Sequence, residues 1–137
     1  MSGVGENGEG VRIAFNPHLQ GTFADYLSRI ALWLWGHEHN LIVFDSYLDL
    51  KRGRCIGSGA IPMMVDQDPY APYSDFDLQG LSAPPVMNLQ AAQLSTNEDG
   101  FYYHAYAIMT LDGQDARVDY YQTDSINNGD SQLLFSE

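Results

Sequence analysis

Leu32-Trp33-Leu34-Trp35-Gly36-His37-Glu38-His39-Asn40-Leu41-Ile42 sets two apolar segments on either side of a polar turn led by glycine. Ala31 to Trp35 is an unbroken apolar run with no polar alternation, which predicts a strand buried on both faces. Leu41-Ile42-Val43-Phe44 predicts a second strand. The turn between them therefore stands at the carboxyl end of a strand, where open α/β sheets bind their ligands.

Outward from this turn, Arg54-Cys55-Ile56 reads as a third strand after the polar stretch from Asp49 to Gly53. Upstream, Asn16-Pro17 marks a turn, because the residue before proline is pushed out of helical geometry. Thr22 as N-cap, Asp25 three residues on, and Phe23, Leu27 and Ile30 on one face predict a helix over 23–30. Downstream, Gly57-Ser58-Gly59 opens a proline-rich loop that runs to Pro85, long enough to serve as a cover over a site. Phe101 to Leu111 and Ala116 to Tyr121, rich in Tyr, Val and Ile, flank Asp112-Gly113 and predict a hairpin. Residues 1–10, with four glycines, read as a flexible lead-in, with order starting near Val11 and Arg12. Residues 124–137 read as a polar tail whose Leu133-Leu134-Phe135 patch either docks on the body or frays. The expectation is one strand-rich α/β (α+β) domain over 11–123.

The chain has 137 residues, 45% of them apolar and 12% aromatic, which fits one packed domain. Six basic against eighteen acidic side chains leave a net charge of -12, so nucleic acid and anionic membrane surfaces are poor partners. Cys55 is the only cysteine, which rules out an intrachain disulfide and thiolate-rich zinc sites and suits a reducing, cytoplasmic setting. No apolar run approaches the roughly 20 residues of a membrane span, and the first residues lack the basic and apolar regions of a signal peptide.

His37 and His39 are the candidate metal ligands. Two apart on an extended backbone, their side chains leave one face about 6 to 7 Å from each other. Gly36 leaves room for a ligand or a second segment to approach the backbone. The string from Leu32 to Ile42 resembles the last motif of the calcineurin-like metallophosphoesterases, in which an apolar strand runs into GHxH and out into another strand. The similarity takes in Asn16-Pro17, the helix, Arg54 to Gly59 and the Phe101 to Tyr121 hairpin, and is least clear over 60–95.

That resemblance implies the C-terminal part of a metallophosphoesterase-like β-sandwich flanked by helices. It also implies hydrolysis of phosphate mono- or diesters by two divalent transition metals, Mn, Fe or Zn, with His37 on one ion and His39 on the other. Gly57 and Gly59 would shape the site. The family pattern further requires an Asp-x-His, a GD whose Asp bridges the metals, a GNH and another His before GHxH; none of these motifs stands upstream of Gly36, and the one upstream histidine, His18 in Asn16-Pro17-His18, has a setting unlike them. The expectation is a fragment, inactive alone, with weak or no metal binding until a missing N-terminal half joins it. Two other readings are a small β-rich metal- or ligand-binding protein and a degenerate, non-catalytic interaction domain. A cupin would want Glu four or five residues past the second His, where Val43 and Phe44 stand.

The remaining candidates read as structural. His18 is expected on the surface, His104 as a hydrogen-bonded sheet residue on the strand face it shares with Tyr102 and Tyr106, and Cys55 as a small buried strand residue. Asp66-Gln67-Asp68 lacks the glycine of a calcium loop. The segment from Asp124 to Gly129 would put Ile126 and Phe135 where oxygen ligands are needed. Gly57-Ser58-Gly59 has the wrong spacing for a nucleophile elbow.

Overall fold

Among the described residues, a sheet of three short strands in the first half and a sheet of three longer strands in the second give the chain its architecture. The computed structural model describes residues 12–13, 16–72, 76–77, 83–124 and 129–137. The lead-in over 1–10, the start of order at Val11 and position 126 of the rejected calcium loop lie outside them. In chain order the elements are β1 (Arg12–Ile13), α1 (Pro17–Phe23), a 3-10 turn (Leu27–Arg29), β2 (Trp33–Trp35), β3 (Leu41–Val43) and β4 (Gly53–Ile56). A second 3-10 turn (Val65–Gln67), β5 (Phe76–Asp77), β6 (His104–Asp112), β7 (Asp115–Thr123) and β8 (Ser131–Ser136) follow. The protein is thus strand-rich α+β with little helix, as its residue patterns predict.

The first sheet has the order β2-β4-β3, with β4 parallel to β2 and antiparallel to β3. Because β2 and β3 lie on opposite sides of β4, the Gly36–Asn40 connection crosses over the carboxyl end of β4. The second sheet is an antiparallel β6-β7-β8 meander, with a register irregularity at Tyr120/Tyr121. β1 and β5 form a separate parallel pair. Leu41, Ile42 and Val43 of β3 and Cys55 of β4 are buried together with Tyr70 and with Ala105, Val118 and Tyr120 of the second sheet, so one core joins the two sheets.

A polar tie accompanies that core. Arg54 of β4 is 5% exposed, and its Nε and NH2 donate to the two carboxylate oxygens of Glu137 at 2.9 and 2.7 Å. Its NH1 donates to Phe44 O and Gly53 O, both at 2.8 Å. Tyr120 donates its hydroxyl to Glu137 at 2.8 Å, and the Glu137 backbone exchanges both hydrogen bonds with Val118. Every nitrogen of the buried guanidinium thereby has an acceptor, which a buried charge requires.

Two local expectations are corrected. The helix expected over 23–30 instead runs from Pro17 to Phe23, followed only by the Leu27–Arg29 turn. Asn16 is its cap, with Oδ1 accepting from His18 N at 3.0 Å and Leu19 N at 3.2 Å, and Pro17 fills the first helical position with φ already set. Thr22 cannot also be a cap, since its hydroxyl donates back to His18 O at 2.8 Å within this helix. The strand expected to be buried on both faces is shorter, Trp33–Trp35, and only half-buried, because it is an edge strand. Phe23 meets Trp33 edge-on at 5.2 Å, and Trp35 stacks on Phe44 at 5.5 Å, yet neither neighbour covers a whole indole.

The hairpin forms where Asp112-Gly113 predicts it, with Asp112 paired to Asp115. Its central residues are Gly113 and Gln114, and Gly113 has φ 59, a left-handed value that glycine adopts at the first central position without steric cost. Of the two fates open to the Leu133-Leu134-Phe135 patch, docking is the one found: Leu133 pairs with Tyr121, and Phe135 pairs and stacks with Tyr120. Between β3 and β4 the chain reverses at Leu48 and Asp49, both left-handed at φ 50 and 65, inside the doubly bonded Tyr47–Leu50 bridge. Among the described residues no helix is long and apolar enough to cross a membrane.

Candidate metal-ligand loop

The Gly36–Asn40 crossing is tight because it must pass over β4 within a few residues. Asn40 N donates to Glu38 O at 2.8 Å, which bends the loop around His39, and Gly57 N donates to Asn40 O at 3.0 Å. A Cβ on Gly57 would lie 1.9 Å from Glu38 O and 2.7 Å from Gly36 O, so only glycine lets the end of β4 sit under the loop. The other two glycines expected to shape the site are less constrained. A Cβ on Gly36 would be 3.7 Å from Gly57 Cα, and one on Gly59 would be 3.7 Å from Ala105 O, both ordinary contacts. Asn40 Oδ1 and Ser58 Oγ flank the crossing, buried and without a hydrogen-bond partner among the described residues.

Glu38 turns inward. Its Oε2 accepts from Trp35 Nε1 at 2.8 Å, and Cys55 Sγ lies 3.4 Å from its backbone oxygen and 3.7 Å from Oε2. Burial pushes the Cys55 thiol up to about 12; a backbone hydrogen bond from Gly57 pulls the other way, and the nearby Glu38 carboxylate adds to the rise. The thiol is therefore an inert packing group, as its apolar neighbours suggest.

His37, exposed, and His39, half-buried, line a common cleft of about 450 Å³. The loop is bent rather than extended at these positions, and both residues line one space. The proline-rich loop gives the cleft a wall with Met63, Met64 and Gln67, and Phe101 also lines it. That wall is held by backbone pairing: Met64 bridges Phe101, Tyr102 N donates to Met63 O at 2.9 Å, and Val65 N donates to Gly100 O at 3.0 Å. Tyr70 anchors the same loop in the core, donating to Leu41 O at 3.1 Å and accepting from Leu94 N at 2.9 Å.

No family model, no curated protein and no solved structure matches this chain. The donor set has to be judged from its own chemistry. Among the described residues no three His, Cys, Asp or Glu side chains come together. Glu38 and Cys55 contact each other on the core side of the loop, His18 is exposed in α1, and His104 is half-buried in β6 opposite Thr123. Two neutral imidazoles in a cleft without a carboxylate do not fit a pair of divalent cations, which need anionic oxygen to offset four positive charges. Sequence reasoning found the two histidines and missed the thioether-bearing wall, because the Met63-Met64 pair lies far from them along the chain and carries no ligand-spacing signal.

Proposed function

We propose that this chain is the C-terminal part of a two-metal phosphoesterase of the calcineurin-like kind, contributing His37 and His39 to a site completed by residues it does not contain. The reading rests on one observation: His37 and His39 of Gly36-His37-Glu38-His39 line the same cleft, while the carboxylate of Glu38 between them is taken up by Trp35. A loop so arranged offers two nitrogen ligands on one side and fixes itself with the residue between them. The metals in such enzymes supply Lewis-acid polarisation of the phosphoryl group. This chain's own part is to hold two ring nitrogens in place at the rim, with Gly57 letting β4 support the loop from below.

Mixing the chain with a separately expressed upstream segment that carries Asp-x-His, GD and GNH motifs tests this. The expected outcome is Mn- or Zn-dependent hydrolysis of an aryl phosphate or phosphodiester by the mixture and none by either part alone, because losing even one positioned electrostatic donor costs about 100-fold or more. His37→Ala should abolish the restored activity. His37-dependent turnover by the lone chain would defeat the fragment reading, and no restoration on mixing would favour a degenerate interaction domain.

A further inference from the structure

The cleft that poorly suits two divalent ions has the donors of a different ion. His37 and His39 line it, and so do two residues that carry thioethers, Met63 and Met64. The remaining polar side chain there, Gln67, has its Oε1 engaged by Met64 N at 2.9 Å, and no carboxylate lines the space. Imidazole with thioether, without an anionic oxygen, is a soft set that favours Cu(I) over Mn, Mg or Ca. A closed-shell monovalent ion accepts two or three ligands and brings a single positive charge, so neutral donors suffice. We propose that His37, His39 and one of the two methionine sulfurs bind a single Cu(I) ion.

One sulfur is expected because Met64 is extended, with φ −79 and ψ 149, and successive extended residues send their side chains to opposite faces. The backbone under both residues is fixed by its pairing with Phe101 and Tyr102, while the unbranched side chain keeps enough freedom to reach an ion. Cys55, the other soft donor, contacts Glu38 and Asn40 on the buried side of the loop and takes no part.

The test is anaerobic titration of the full chain with Cu(I) against bicinchoninate, paired with X-ray absorption at the copper edge. Wild type should withdraw one equivalent and show both nitrogen and sulfur scatterers. His37→Ala and His39→Ala should each weaken binding at least about tenfold. The double variant Met63→Leu/Met64→Leu, close to volume-conserving and so expected to fold, should lose the sulfur scatterer and weaken binding, whereas Cys55→Ala should change neither. No withdrawal by wild type, withdrawal unaffected by either histidine variant, or sulfur scattering that survives the double methionine variant would overturn the site. The phosphoesterase reading shares the histidines but not the methionines: the double methionine variant should still restore Zn- or Mn-dependent hydrolysis on mixing, so the two proposals fail separately.

Discussion

Gly57→Ala is the most direct test of how the candidate site is built. The new methyl would stand 1.9 Å from Glu38 O, whereas ordinary contact starts near 3.4 Å, so one of the two backbones must retreat by roughly 1.5 Å. The clash is with main chain on both sides, Gly36 O at 2.7 Å as well as Glu38 O, and rotamer changes cannot relieve it. Overpacking of this kind costs about 1–3 kcal/mol. Loss of the Gly57 N to Asn40 O hydrogen bond adds about 1 kcal/mol, a large share of the roughly 5–15 kcal/mol that holds a domain together. Urea unfolding should show the midpoint fall at constant slope. In NMR spectra the His37 and His39 imidazole resonances should shift while Val118 and Tyr120 stay in place. Gly59→Ala is the matched control: its Cβ would meet nothing closer than 3.7 Å, so its effect should stay within about 0.5 kcal/mol. If Gly57→Ala is as stable as this control and leaves the imidazole resonances unmoved, the close crossing over β4 is wrong.

Two stability predictions follow from the fold. For Glu137, burial pushes the carboxyl up, but the bonds from Arg54 and Tyr120 and the Arg54 and Arg52 charges outweigh it and hold the pKa below its ordinary 4.5. The stabilisation is therefore present above about pH 4.5 and is lost as pH falls through the depressed folded value; Glu137→Gln should remove that acid-side slope, and Glu137→Ala should cost about 3–5 kcal/mol by stranding Arg54, both read by urea unfolding at several pH values. An alanine variant less than about 1 kcal/mol below wild type would deny the tie its role. Asp49→Gly should raise stability by about 1 kcal/mol, because Asp49 sits at φ 65 in an exposed turn where glycine carries no Cβ penalty; an unchanged or lower melting temperature would count against the left-handed turn.

Strands announced themselves where side chains alone determine them. Leu41–Val43 and Gly53–Ile56 lie where apolar runs predict, and Asp112-Gly113 marks the hairpin within a residue. The helix was misplaced because Asn16-Pro17 carries two compatible meanings: the extended conformation that proline imposes on its predecessor is also that of an N-cap, at φ −86 and ψ 109. The Leu48-Asp49 reversal was half legible: Asp49 opens the polar turn-like stretch and tolerates left-handed geometry, but Leu48 does not ordinarily adopt it, and the pairing of Tyr47 with Leu50 imposes it. In the site, HxH spacing pointed to His37 and His39, but the inward role of Glu38 depends on Trp35 and Cys55 arriving from neighbouring strands. The Arg54–Glu137 tie spans 83 residues, beyond the reach of any local pattern.

That span has a consequence for the order of synthesis. Arg54 leaves the ribosome long before its counter-charge, and until Glu137 follows, burying the middle of β4 would strand a bare guanidinium. Closing a loop of this length costs about 4 kcal/mol of chain entropy, which the tie and the surrounding core must offset together. The two sheets can therefore each begin to pair during translation, but their docking waits for Glu137, and a nascent chain held short of it keeps its first sheet open.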